Sequence, residues 1–392
     1  MTTRYSRIKL LDSRMSILVF LYVLSVYTTN FIVGFSRISL VLSLLLVIAA
    51  ALEIRRKGQQ YPCYFLLPWL FLIFNILSIV WAQNRAEAID GVGQTVTPLF
   101  GAMGVWLGRR CGVSWKVVAW ASLIGAIILI ESSFHQIQDM GAGGRASGFT
   151  GNANALAMTL CLAAITIWAS PEKLPHWMLI LAGAFLAYAV YYTGSRKTLV
   201  VLSIAICLVT MRQTKPASRW FCIVFTVLLT IAIFCVAGPK IWKSAGSINT
   251  VVRMERLLGG GTGEEETIRF EMMAEAIQIW IKSPLIGHGA AQFNVISGYG
   301  SYSHCNYTEL LANLGIIGFV LYYAFHGLLF YRAFGEWRCH RSYSQLSAIV
   351  LLILLLVLDV GMVTYYITKV NWLILGLVAS LVTVNDSAID WV

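Results

Sequence analysis

"SHCNYTELLANLGIIGFVLYY" (Ser303–Tyr323) decides how the chain is read, because a polar doorway with a titratable histidine opens directly onto an apolar run. From Leu310 to Tyr331 there is no Asp, Glu, Lys or Arg. That is the length a helix needs to cross about 30 Å of hydrocarbon. Similar runs recur along the 392 residues, of which 58% are hydrophobic and 12% charged. The charged share is roughly half that of a soluble globular chain. The runs are continuous rather than alternating ten-residue segments, which excludes an outer-membrane barrel. The fold class expected is all-α, a polytopic transmembrane helical bundle.

Breaks at charged and Gly/Pro-containing segments divide the chain into about twelve predicted spans. They cover 15–34, 38–54, 64–82, 92–107, 115–134, 152–169, 177–194, 198–211, 220–238, 306–331, 346–365 and 369–385. Nine helices thus occupy residues 1–238, a large loop carrying short helices occupies 239–305, and three helices occupy 306–392. The first run follows a basic leader (Arg4, Arg7, Lys9, Arg14) but lacks a small-residue cleavage site, so it reads as a retained helix.

The net charge of +11 would suggest nucleic acid in a soluble protein, but here the basic residues sit in short connections and orient helices instead. Every second connection carries them: Arg55-Arg56-Lys57, Arg109-Arg110, Arg212/Lys215/Arg219 and Arg332/Arg338/Arg341. Both termini are therefore expected in the cytoplasm. The eight cysteines lie mainly in apolar runs or basic loops, which argues against a disulfide framework. Neither a CxxC nor a carboxylate cluster stands at metal-ligand spacing, and no cofactor is called for.

The informative residues break this pattern. In "TGSRKTLV" (Thr193–Val200) Arg196 and Lys197 occupy an exterior turn, against the orienting rule. A guanidinium there suits a phosphate, while snorkelling into headgroups is the plain alternative. In "GGRASGFTGNANALA" (Gly143–Ala157) Arg145 is the basic residue of its exterior loop, and Asn152 and Asn154 stand where a helix cap belongs. Arg269 follows Glu264–Glu266, which suit a helix start and offer it an ion pair; its other use is a phosphate contact. The helix predicted over 267–281 has Phe270, Met273, Ala274, Ile277 and Ile281 at helical spacing, a face that lies on the membrane surface or caps the bundle. His288, in a glycine-rich turn, reads as structural. His304 has Asn306, Tyr307 and Glu309 close by, and an imidazole can take a proton from a sugar hydroxyl or return one. A lone interfacial histidine also has a structural reading. Asp359 is a buried-span carboxylate with no assigned role.

His304 followed by Gly315 and Gly318 is similar to the His-X10-Gly-X2-Gly signature of the O-antigen ligase and O-antigen polymerase superfamily. "GFTGNANALA", "GSRK" and the run from Arg269 through Pro284, Gly287 and Gly289 to Phe293 resemble that family too, in matching order. One departure is Cys305, where many members have Asn, Ser or Gln; Asn306 is expected to take over the polar role. The resemblance implies a GT-C-like, metal-independent, inverting glycosyltransferase of the bacterial inner membrane with its active site facing the periplasm, and so implies that the 239–305 loop is periplasmic. The donor it implies is a glycan on undecaprenyl diphosphate, and the acceptor a second lipid-linked glycan, lipid A core or protein. Its implied site has His304 as catalytic base, Arg196, Arg269, Arg145 and Lys197 on the diphosphate, and Asn306, Tyr307 and Glu309 orienting the acceptor. The wording after His304 favours a polymerase over a ligase. A lipid-linked oligosaccharide transporter is a further alternative, although no repeated halves stand out.

Overall fold

The computed structural model describes residues 14–32, 35–56, 66–138, 145–193 and 264–383, with isolated positions at 195, 198, 201, 203, 204 and 208. Arg196, Lys197, nearly all of the predicted 198–211 span and the whole of the 220–238 span lie outside the described residues. Among the described residues the regular structure is entirely helical. In chain order the helices are α1 (Arg14–Tyr27), α2 (Ser36–Arg56), α3 (Leu66–Leu77), α4 (Arg85–Arg110), α5 (Trp115–Gln138), α6 (Ala153–Trp168) and α7 (His176–Thr193). Then come α8 (Glu264–Lys282), α9 (Phe293–Ile296), α10 (Asn306–His340), α11 (Tyr343–Asp359) and α12 (Lys369–Thr383).

Four of these segments are long and apolar enough to cross a membrane: Arg37–Arg56, Trp115–Phe134, His176–Thr193 and Asn306–His340. The remaining apolar helices, among them α6, α11 and α12, are shorter. The described part is thus a multi-pass helical membrane protein.

The packing places α4 at the centre, against α2 on one side and α12 on another. Small residues permit this: Gly376 of α12 lies against the Ala102 backbone, and Gly104 against Leu46 of α2. Membrane helices, which gain little from apolar burial, use such close backbone approach to associate. α6 packs on α5 and α7, and α10 on α3, α8 and α11.

The bundle has two chemically distinct ends. At one, Arg109 is buried and pairs with Glu172 at 3.1 Å, while Glu172 also accepts from Trp115 N at 2.6 Å, joining the α4–α5 and α6–α7 connections. Tyr343 at the start of α11 donates to Trp168 O at the end of α6, bringing the Arg338–Arg341 stretch to that same end. At the other end lie the N-termini of α6, α10 and α12.

α10 is broken at Gly315, whose φ of 61° and ψ of −166° are not helical. The break frees backbone groups, and the 284–289 loop satisfies them. His288 N and Gly289 N donate to Ala312 O and Asn313 O at 3.1 and 2.7 Å, and Ile316 N and Ile317 N donate to Pro284 O and Leu285 O at 2.9 and 3.1 Å. Gly287 and Gly315 both have positive φ and face one another so closely that a Cβ on either would enter the opposing backbone. Two glycine motifs, far apart in sequence, therefore form one joint.

α8 docks through this joint and through Met272, Ala276 and Ile279, which bury with Phe293 and Ala312. The face expected to lie on the membrane surface or cap the bundle is a different one and does not cap it: Phe270 and Ile281 are exposed. Periodicity marked an apolar stripe, but α8 carries two of them, and the other one meets the protein.

Candidate functional site

A cavity of about 170 Å³ lies at the α6/α10/α12 N-terminal end, lined among others by Arg269, Tyr302, His304, Asn152, Asn154 and Thr368. Four separate stretches of chain contribute. Asn152 is there because it caps α6, its side chain accepting from Asn154 N at 2.8 Å and Ala155 N at 3.3 Å. Asn154 turns its own side-chain oxygen to Arg145, whose Nη2 donates to it at 2.8 Å. Arg145 Nε donates to Thr193 O at 2.7 Å, so this arginine ties the α5–α6 connection to the end of α7. It stands behind the cavity wall and reaches the site through Asn154.

His304 has φ +62°, a left-handed conformation that non-glycine residues seldom adopt, histidine being more tolerant than most. Its neighbours hold it there. Ser303 N donates to Glu309 Oε2 at 2.6 Å, Ser303 Oγ donates to Cys305 O at 3.1 Å, and Cys305 serves as the extended N-cap of α10. The ring lies 4.5 Å, centroid to centroid, from Tyr302. Burial pushes the Tyr302 phenol above its ordinary range, with the nearby Arg269 charge working against that shift and Glu309 adding to it. An anionic group entering here would meet a cation, a phenol and an imidazole lining the same cavity.

Asn306, Tyr307 and Glu309 do not line the cavity. Asn306 is fully buried; its Oδ1 accepts from Thr364 N at 2.8 Å and Tyr365 N at 3.0 Å, and its Nδ2 donates to Tyr323 Oη at 2.9 Å and Asp359 Oδ2 at 3.2 Å. It is fully engaged in holding the 359–365 turn and cannot replace the polar residue expected at position 305. Tyr307 donates to Leu356 O at 2.8 Å and stacks on Tyr323. Glu309, also fully buried, accepts from Ser303 N, from Tyr366 Oη at 3.2 Å and from Asn313 Nδ2 at 3.4 Å. These residues brace the loops that carry His304 and Thr368.

Asp359 belongs to the same network, accepting from Tyr323 Oη at 2.8 Å and Thr364 Oγ1 at 2.6 Å. Its position in an apolar run was the signal for a buried polar partner. Nothing in the sequence marked Tyr302 or Thr368 as wall residues. His288 is structural: its Nε2 lies 2.9 Å from Ile279 O at the end of α8. Arg196 and Lys197 lie outside the described residues, as do the side chains of Glu264–Glu266.

Residues 181–323 match the family described as O-antigen ligase, a stretch that runs from α7 to the middle of α10 and includes Arg269, His304, Gly315 and Gly318. The match supports the O-antigen ligase and polymerase superfamily for this chain, and with it a function of the ligase/polymerase type in surface polysaccharide assembly. No curated protein matches the chain.

Proposed function

We propose that the protein is an inner-membrane glycosyltransferase that takes a glycan from undecaprenyl diphosphate at the periplasmic face and polymerises O-antigen or another surface polysaccharide. The observation that carries this reading is that His304 and Arg269, from separate segments, line one cavity. In the proposed step His304 takes the proton of an acceptor hydroxyl, whose oxygen attacks the anomeric carbon. The bond from that carbon to the diphosphate breaks, its electron pair leaves with the lipid diphosphate, and the configuration inverts. Arg269 meets the charge developing on the leaving group, with Arg196 and Lys197 assigned to the same task and Arg145 acting through Asn154. No metal ion takes part. The orientation is supported by the basic residues at the end opposite the cavity, which the orienting rule places in the cytoplasm with both termini.

Transfer to lipid A core is a second reading, favoured by the ligase description of the matched family. A gel of products separates the two when purified protein meets a polyprenyl-diphosphate-linked repeat, with and without core and with EDTA present. A ladder without core means polymerase, and transfer only with core means ligase. No turnover in either case, with lipid-linked sugar crossing vesicles instead, sinks both.

A further inference from the structure

We infer that the outward face of α8 is seated in the outer leaflet of the bilayer, so that this segment of the periplasmic connection is an interfacial membrane helix. The inference rests on the membrane and orientation reading above.

The sequence of α8 writes three stripes, each starting i, i+4, i+7, which an α-helix places about 100° apart. Met272, Ala276 and Ile279 form the first and bury against the protein. Glu271, Glu275, Gln278 and Lys282 form the second, polar throughout and exposed or half-buried. Phe270, Ala274, Ile277 and Ile281 form the third, with Phe270 66% and Ile281 58% exposed. A helix on a protein surface in water needs two environments, core and solvent. α8 is built for three, and the third is apolar.

What covers the third stripe is indicated by its continuation. Below Ile281 come Leu285 and Ile286, also exposed, and Leu285 O accepts from Ile317 N at 3.1 Å across the glycine joint. Ile316, Ile317 and Val320 are exposed in their turn, on a helix long and apolar enough to cross the membrane. The lipid-facing surface of α10 therefore passes without a polar break onto the outward face of α8. Trp280, near the end of α8, donates its indole N–H to Pro284 O at 3.0 Å, the apolar body and satisfied tip typical of a residue at a membrane interface. Phospholipid acyl chains are the occupant that such continuity requires; a water-soluble partner would have to begin its contact inside the hydrocarbon.

One consequence concerns Arg269. It sits on α8 between the buried and the lipid-facing stripes and lines the cavity, so an interfacial α8 holds this guanidinium near the headgroup level. A lipid-linked diphosphate diffusing in the leaflet then meets it sideways rather than from the water.

The test places a benzophenone amino acid at Ile281, at Gln278 on the polar stripe, or at Val320 on α10, in full-length protein in phosphatidylethanolamine/phosphatidylglycerol liposomes. After irradiation, intact-protein mass reports the adducts. The expected result is phospholipid capture at 281 and 320, each several-fold above 278. Capture at 320 with none at 281, or a chain–chain adduct at 281, overturns the inference and leaves the membrane reading standing. No capture at 320 overturns the membrane reading itself.

Discussion

His304 occupies a backbone region that costs a non-glycine residue on the order of 1 kcal/mol, and the chain holds it there with Ser303 and Glu309 on one side and the α10 cap on the other. Asparagine tolerates the same conformation but cannot act as a base. His304→Asn should therefore leave the unfolding temperature in detergent unchanged and lower turnover by about 10²–10⁴-fold. Retained turnover would remove His304 from the chemistry. Arg269 is argued from the fork of its guanidinium, which pairs with two phosphate oxygens where an ammonium acts as a point charge. Arg269→Ala should cost about 10²-fold in kcat/KM for the lipid-linked donor, and Arg269→Lys should recover only part of it. Equal activity of the lysine variant and the parent would show that charge alone matters. His304 could be singled out in the sequence because it stands polar and titratable at the edge of an apolar run, and Arg269 because it opens the run through Pro284, Gly287 and Gly289 to Phe293. Asn306 stands beside the same apolar run as His304, and its hydrogen bonds go to the 359–365 turn: position in a motif says that a residue is needed, and only the fold says for what.

At the scale of elements, the glycine joint connects α8, which carries Arg269, to α10, which begins two residues after His304. Gly315→Ala adds both a left-handed strain and a clash with the Leu285 backbone, so it should cost about 2 kcal/mol or more and abolish turnover. Gly327, further along the same helix, has open space around its Cβ position, and Gly327→Ala should raise stability by about 0.5–1 kcal/mol with activity kept. Thermal unfolding of the two variants in one detergent checks the contrast; a mild effect at 315 would mean the joint gives way. Asn306 makes a comparable argument through hydrogen bonds. Asn306→Leu strips the acceptor from Thr364 N and Tyr365 N, and each buried donor left unpaired costs about 1–3 kcal/mol. The variant should unfold at lower temperature and lose turnover together, and full stability would disprove the bracing role. Helix positions were readable from apolar runs and from caps such as Asn152, whereas this network was not, since it joins residues 306 and 359–365 that no local pattern connects.

Across the whole molecule, the two ends of the bundle decide which side of the membrane does the chemistry. The orienting rule was legible because Arg and Lys stand in alternate connections, and the packing gathers Arg109 and the Arg338–Arg341 stretch at one end and the His304 cavity at the other. Span number was less legible: a bundle core tolerates short helices such as α6, α11 and α12, and length alone does not separate a short crossing from a buried helix. Orientation can be measured with a cysteine the chain already has. Cys339, near the end of α10, is exposed, while Cys161 and Cys305 are buried. A membrane-impermeant maleimide applied to spheroplasts should label Cys339 only after permeabilisation, and should label Tyr299→Cys, in the exposed turn ahead of His304, without it. Peptide mass spectrometry assigns each label to its site. The reverse pattern would put Arg269 and His304 in the cytoplasm, where the transfer would have to precede export of the lipid-linked glycan.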